Sequence, residues 1–160
     1  MDNIIIIESI KSWLNENTKY NNEDLVNHHG IGAIIYDDYG KVLMQDHVKF
    51  NFWTIPVGKI KENQSIIDAL KEELMEECGI KITKFKEVRS FTKSYLRDNI
   101  NVKVTQHIFE IEKYIGVPKN LEPKKHRSQI FMTIDEIKKK PNLSHTTQEA
   151  LKYLKQKGKY

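Results

Sequence analysis

The chain has 160 residues, of which 39% are hydrophobic and 30% are charged, and its formal net charge is +4. This length and composition predict one globular domain with a sizeable core, and no apolar run approaches the roughly 20 residues of a membrane span, so no membrane partner is expected. Its single cysteine, Cys78, excludes an intrachain disulfide and indicates a reducing cytoplasm as the location.

Residues 1–26 are predicted to be an N-terminal helical extension, followed by the main domain at 27–160. The apolar residues of the extension recur at helical spacing, at Ile4, Ile7, Ile10 and Leu14. A helix that packs on the domain and a dimer contact are both compatible with this pattern, so the protein is expected to be a monomer or a homodimer. The short run Ile4–Ile7 lacks a cleavage-site pattern, and we expect no signal peptide.

The main domain begins with alternating apolar residues that predict β-structure. A strand at 29–36 ends at the turn 37–40, and a strand at 41–45 returns as its hairpin partner. Residues 53–57 are expected to be extended because Pro56 prevents helix there. This segment leads into a loop that begins at Gly58.

A helix is predicted at 66–78. Ser65 and Asp68 form a capping-box pattern at its start, and Gly79 supplies a left-handed residue at its end. Its apolar stripe consists of Ile67, Leu70, Leu74 and Cys78.

Four carboxylates lie near the end of this helix. Glu73, Glu76 and Glu77 share one face and Glu72 lies at its edge. Like charges at i,i+4, close to the negative end of the helix dipole, are destabilising. A divalent cation would relieve this repulsion, and carboxylate oxygens suit Mg²⁺ or Mn²⁺. A solvated acidic face is the alternative.

The stretch 58–80 resembles the signature of the Nudix hydrolases, Gly-x5-Glu-x7-Arg-Glu-U-x-Glu-Glu-x-Gly-U, in which U is aliphatic. Seven of its nine defined positions are filled, by Gly58, Glu73, Leu74, Glu76, Glu77, Gly79 and Ile80. The resemblance extends from about residue 27 to the end. It implies an α/β fold, the Nudix α/β/α sandwich with a mixed β-sheet between helices, and metal-dependent hydrolysis of a diphosphate linkage in a nucleoside diphosphate derivative.

Two positions depart from that signature, since Gln64 replaces its first Glu and Glu72 replaces its Arg. In the family these residues support the metal-binding carboxylates electrostatically. The two changes are either a matched exchange, in which Gln64 donates a hydrogen bond to Glu72, or a mark of lost catalysis in a nucleotide-binding or regulatory module. A carboxylate at 72 is also expected to raise the pKa of at least one neighbouring glutamate in the metal-free protein.

The resemblance also implies roles for individual residues. Glu73, Glu76 and Glu77 would hold the metal and carry catalysis, with the Gly58 carbonyl as an extra ligand. Either Glu73 or Glu77 is expected to orient or deprotonate the attacking water, and Glu122 is a loop carboxylate that could share this task.

Beyond the signature, the pattern predicts three strands and two helices. The strands are 81–94, 102–111 and 128–133. One helix begins at 134, and a second helix spans 145–157 with Ala150, Leu151 and Leu154 facing inward.

Candidate substrate contacts are Tyr95, Lys59, Glu122 and His126. Tyr95 lies close to where dinucleoside polyphosphate hydrolases tend to have a base-stacking Tyr, and ordinary packing is its alternative role. An exposed histidine without a role is the alternative for His126. Because no Pro follows the signature where ADP-ribose hydrolases tend to have one, a nucleoside triphosphate or dinucleoside polyphosphate is favoured.

Charge is distributed unevenly, with a net of +8 in residues 113–160 and −4 in residues 1–112. A basic segment beside an acidic metal site suits a polyphosphate, whose charge both could share. The alternatives are a solvated lysine-rich surface and RNA binding, including cap removal, although aromatic residues for a stacking surface are few in this segment.

Overall fold

This computed structural model describes residues 27–97 and 99–160. The predicted N-terminal helix lies outside the described residues and stays a prediction. The described chain forms seven strands and three helices: β1 Asn27–Ile35, β2 Val42–His47, β3 Phe52–Thr54, β4 Val57–Lys59, α1 Ile66–Cys78, β5 Lys81–Arg97, β6 Ile100–Ile115, β7 His126–Met132, α2 Ile134–Lys138 and α3 His145–Gln156. None of these helices is long and apolar enough to cross a membrane.

The strands form two sheets. A mixed sheet has the order β4-β1-β6-β5, in which β1 and β6 are parallel, and an antiparallel sheet has the order β3-β2-β7. The predicted mixed sheet is confirmed, whereas the extended run at 53–57 proves to be two strands, one in each sheet. Pro56 lies between them, cannot donate to a strand ladder, and offers its carbonyl to Ala33 N at 2.9 Å.

Helices cover both faces of the sheet system, as an α/β/α sandwich requires. Alternation along β1 sends successive side chains to opposite faces. One core cluster lies against α1 and includes Ile31, Ala33, Ile35, Leu43, Leu70, Leu74 and Cys78. The other lies against α3 and includes Ile34, Met44, Ile55, Ile108, Ala150 and Leu154. The fold predicted from the sequence is therefore confirmed.

The buried row of α1 differs from the predicted stripe at one position. Ile67 is 37% exposed, while Ile66 packs against the core and Ala69 is also buried. Residues spaced by four, namely Ile66, Leu70, Leu74 and Cys78, turn toward the sheet. The prediction for Ile67 was wrong because this residue follows Ile66 directly, and its side chain is rotated by about 100° around the helix from that row.

Candidate active site

Both ends of α1 form as the sequence predicts. Ser65 Oγ accepts a hydrogen bond from Asp68 N at 3.0 Å, which is the N-cap half of a capping box. At the other end Gly79 is left-handed, with φ of 69°, and its N–H donates to the Leu74 and Met75 carbonyls. The carboxylates of the last turns are therefore held on a well-defined helix.

Gly58 lies directly against the first of these carboxylates. It pairs with Ile31 between β4 and β1. A Cβ built on Gly58 would overlap Cγ and Cδ of Glu73 and lie 2.9 Å from Glu73 Oε1. The missing side chain therefore makes room for Glu73, and the predicted role of the Gly58 carbonyl as a metal ligand stays a prediction.

Glu73 and Glu77 form a close pair of carboxyl groups. Glu77 is 4% exposed, and its Oε2 atom is buried without a hydrogen-bond partner. Burial, followed by the charges of Glu73 and Glu122, raises the pKa of Glu77. Burial also raises the pKa of Glu73, where Lys125 opposes the shift and Glu76 adds to it. The metal-free pair therefore retains a proton more readily than isolated glutamates do.

The predicted rise in pKa is thus present, but its first cause differs from the expected one. The sequence attributed it to the charge of Glu72, whereas burial contributes most at both Glu73 and Glu77. Glu76 is exposed at the side of this pair.

The loop before β7 brings two further charges to the pair. Lys119 N donates to Cys78 O at 3.0 Å and Leu121 N donates to Glu77 O at 3.1 Å, so the loop satisfies carbonyls at the end of α1. This anchoring brings Glu122, the residue after Leu121, to the end of α1, where its charge raises the pKa of both Glu77 and Glu73.

Lys125 is the cation of this group of charges. Its Nζ lies 3.0 Å from Glu122 Oε2, and its charge lowers the pKa of both Glu73 and Glu77. The sequence did not single out Lys125, although it stands between Glu122 and His126 in the candidate loop. The feature that could have indicated Lys125 is its position in the chain close to those two residues.

His126 is buried, with 1% of its surface exposed, so the expected alternative of an exposed histidine is wrong. It begins β7 and pairs with His47, whose ring lies edge-on at 5.5 Å. Burial lowers the pKa of His126, and its Nδ1 atom has no hydrogen-bond partner. A buried imidazole with one unpartnered nitrogen therefore lies next to the loop that carries Glu122.

The two departures from the signature are in contact. Gln64 Nε2 donates to Glu72 Oε2 at 2.5 Å, which confirms the predicted bond. Lys61 Nζ also lies 2.5 Å from Glu72 Oε1. Glu72 is thus paired with a cation from the loop, which the sequence did not predict, while Lys71 lies over the Phe85 ring at 5.9 Å from its centre.

The remaining substrate-contact candidates, Lys59 and Tyr95, lie in different parts of the mixed sheet. Lys59 follows Gly58 in β4 and pairs with Gly30 of β1. Tyr95 pairs with Val102 near the tip of the β5–β6 hairpin, beyond the first residue of β1. The strand register therefore places Lys59 close to the site and leaves Tyr95 outside the group around Glu73.

The donor chemistry suits a divalent cation. The two contacting carboxyl groups provide hard oxygen ligands, and the unpartnered Glu77 Oε2 is the kind of atom that a cation would satisfy. Within residues 27–97 and 99–160, no three His, Cys, Asp or Glu side chains converge as a preformed metal site. A metal would therefore have to displace the proton of the pair and draw in a further ligand, which makes its affinity dependent on pH.

An α/β/α sandwich with a glycine loop packed on a carboxylate-bearing helix defines the class of Nudix domains. The NUDIX domain matches residues 26–154, and the chain belongs to this family.

Comparison with known proteins agrees with this assignment. The chain is 34% identical over 74 residues to an 8-oxo-dGTP diphosphatase from Buchnera aphidicola (subsp. Acyrthosiphon pisum), covering 46% of this chain and 56% of that protein. The chain spans between 16% and 56% of the length of the curated relatives that it matches.

Two solved structures show the same fold at low sequence identity. The MutT protein from Methanosarcina mazei superimposes with a TM-score of 0.69 at 16% identity, covering 84% of this chain and 97% of that one. The NUDIX domain of Shewanella oneidensis NrtR, complexed with ADP ribose, gives 0.65 at 11% identity, covering 89% and 97%.

Proposed function

We propose that this protein is a metal-dependent nucleotide pyrophosphohydrolase that cleaves a diphosphate linkage in a nucleoside diphosphate derivative. The observation that carries the proposal is the buried Glu77 carboxyl, which has an unpartnered oxygen and lies against Glu73. Glu122 and Lys125, from a segment distant in sequence, form an ion pair, and both charges act on Glu73 and Glu77. Mg²⁺ or Mn²⁺ suits these ligands, and the cytoplasm is the proposed location.

Each charged group has a task in this reaction. Glu73 and Glu77 would hold the cation together with Glu76, and the Gly58 carbonyl is a further ligand. A bound divalent cation supplies charge neutralisation at the phosphate oxygens and acidifies water. Whichever of Glu73, Glu77 and Glu122 is left unligated would accept the proton of the attacking water.

Cations beside the carboxylates favour a polyphosphate substrate. Lys125 offers positive charge at the edge of the pair, and Lys59 lies at the end of the strand that carries Gly58. The similarity to the Buchnera 8-oxo-dGTP diphosphatase supports a nucleoside triphosphate with an oxidised guanine as the first candidate. Dinucleoside polyphosphates are the second candidate.

A nucleotide-binding module without turnover is the alternative function. The observations in its favour are the departures at Gln64 and Glu72 and the lack of three converging ligands in the described part of the chain. RNA binding has less support, because Tyr114 donates to Tyr36 O at 2.8 Å and Phe131 packs against the core, so both aromatic residues are used within the fold.

A substrate panel with Mg²⁺ and with Mn²⁺ tests the proposal. It contains 8-oxo-dGTP, dGTP, a dinucleoside tetraphosphate and ADP-ribose, with products separated by chromatography. Turnover of a triphosphate or dinucleoside substrate, lost in Glu77→Gln, supports the proposed enzyme. Binding by calorimetry without product at any metal concentration supports the module, and full activity in both Glu76→Gln and Glu77→Gln rejects the site.

A further inference from the structure

Lys61, Gln64 and Glu72 form a hydrogen-bonded unit that joins the glycine loop to α1, and we name it the loop clasp. The Gln64 amide uses both of its ends, because Oε1 accepts from Lys61 N at 3.0 Å and Nε2 donates to Glu72 Oε2 at 2.5 Å. The backbone N–H of Gln64 donates to Lys61 O at 3.0 Å. Lys61 Nζ completes the unit through its contact with Glu72 Oε1.

Only an amide side chain can make the two side-chain bonds of Gln64 together. An amide has one acceptor oxygen and one donor nitrogen, whereas a carboxylate has acceptors alone. A glutamate at 64 would retain an acceptor for Lys61 N, but its repulsion of Glu72 would oppose the loop closure that forms this bond. Gln64 is therefore matched to Glu72, and the pair has to be considered as one exchange.

The ion pair between Lys61 and Glu72 lies at the surface of the protein. The side chain of Lys61 is 66% exposed in its contact with Glu72. Exposed ion pairs contribute little to stability because water and salt screen them. The two bonds of the Gln64 amide and the backbone bond from Gln64 to Lys61 therefore act together with this pair in holding residues 61–64.

We propose that the loop clasp is the positioning device that holds the glycine loop on α1, so that Gly58 stays against Glu73 and the Glu73–Glu77 pair keeps its arrangement. Gln64 and Lys61 are thus positioning residues that act through Glu72. The exchange of charge at positions 64 and 72 is compensated within this chain and preserves the site. This inference deepens the proposed function and rests on it for the role of Glu73 as a metal ligand.

Two substitutions and their combination test the clasp. In Gln64→Glu, amide hydrogen exchange at Lys61 and Gln64 is expected to become about tenfold faster, because one hydrogen bond to a charged group is replaced by repulsion. In the double variant Q64E/E72R the rate is expected to return to within about twofold of the wild-type rate, since the new arginine pairs with the new glutamate. Glu62→Gln, in the same loop, is the matched control for a change of charge and is expected to leave the rates unchanged.

Manganese binding, measured by calorimetry, separates positioning from simple charge. An added carboxylate near the site would by itself tighten Mn²⁺ binding. The clasp instead predicts about tenfold weaker binding in Gln64→Glu and recovery in the double variant. Unchanged exchange rates, tighter Mn²⁺ binding in Gln64→Glu, or a double variant that stays as fast as the single one would overturn the proposal.

A further variant and the behaviour of the wild-type protein complete the test of the clasp. Gln64→Leu removes both side-chain bonds without adding charge, is expected to show the same fast exchange, and decides the matter if Gln64→Glu fails to fold. A wild-type protein that binds no Mn²⁺ and turns over no nucleotide rejects the proposed function, whereas the exchange rates still decide whether the clasp holds the loop.

Discussion

Glu73 on α1 occupies the space that a side chain on Gly58 of β4 would fill. The requirement for glycine is therefore steric, because Gly58 is not among the glycines with positive φ, which are Gly40, Gly79, Gly116 and Gly158. Pairing of Gly58 with Ile31 fixes the strand from the other side. The position of one acidic side chain is thus set by the absence of another side chain.

Gly58→Ala tests this relationship directly. The added methyl group overlaps Glu73 Cγ and Cδ, so the Glu73 carboxylate has to leave its present position. We expect kcat/KM to fall about 100-fold, the order of loss that follows a displacement of about 1 Å in a catalytic group. Mn²⁺ titration of the same variant is expected to show weaker binding.

Gly32→Ala is the matched control for that substitution. Its Cβ would lie 2.7 Å from Thr146 Cγ2, on the α3 side of the same mixed sheet. Thermal unfolding is therefore expected to show destabilisation in both variants, whereas Mn²⁺ affinity should fall only in Gly58→Ala. Equal loss of affinity in both would mean that the site responds to general destabilisation.

Glu77→Gln is expected to remove turnover while leaving the metal-free fold intact. The amide has the shape of a protonated carboxyl group, and burial already favours the protonated form of Glu77. It carries no negative charge to hold a divalent cation and cannot accept a proton from water, so kcat should fall about 100-fold or more. Steady-state kinetics and thermal unfolding of the same preparation check both parts. Retained turnover would contradict the assignment.

The sequence was sufficient to predict α1 and its carboxylates, because capping, glycine and apolar spacing are local signals. Ser65 and Gly79 determine the ends of the helix within a few residues of chain. The contact between Gln64 and Glu72 was predictable for the same reason, since only Ser65 and the first turns of α1 separate them.

Contacts between distant segments could not be predicted in this way. Lys125 reaches the site because the loop before β7 bonds to carbonyls at the end of α1, which depends on tertiary packing. The change of sheet at Pro56 depends on which strands pair, and a single extended run does not encode that choice. The neighbours of His126 likewise depend on which strand lies beside β7, here β2, whose His47 ring packs edge-on against it.

The buried Glu110 carboxylate makes the free energy of unfolding depend on pH. This carboxylate is 2% exposed and accepts hydrogen bonds from Tyr36 at 2.7 Å and from Lys157 at 2.7 Å and 2.9 Å. Burial by itself raises its pKa, but the bonds from Lys157 and Tyr36 outweigh burial and hold the pKa below the usual 4.5. Because the folded pKa is depressed, this stabilisation is present above pH 4.5 and is lost as pH falls through the folded pKa.

Glu110→Gln is therefore expected to lower the free energy of unfolding at neutral pH by about 2 kcal/mol, and to reduce its decline in acid. Urea unfolding at several pH values measures both effects. Glu112→Gln is the control on the same strand, where the more exposed Glu112 pairs with Lys84, and its effect should stay below about 1 kcal/mol. Identical acid profiles for the wild type and Glu110→Gln would contradict the prediction.

Lys125→Met tests the cation beside the carboxyl pair. Lys125 pairs with Glu122 and lies in the field of Glu73 and Glu77, where a polyphosphate bound to the site would meet its charge. Loss of this charge is expected to raise KM for a nucleoside triphosphate about tenfold, with a smaller change in kcat. Lys124→Met changes the neighbouring lysine, which is not among the charges that act on Glu73 and Glu77, and is expected to alter KM less than about twofold. Equal effects of the two substitutions would show that only the overall charge of the loop matters, whereas the expected difference places the substrate phosphates at Lys125.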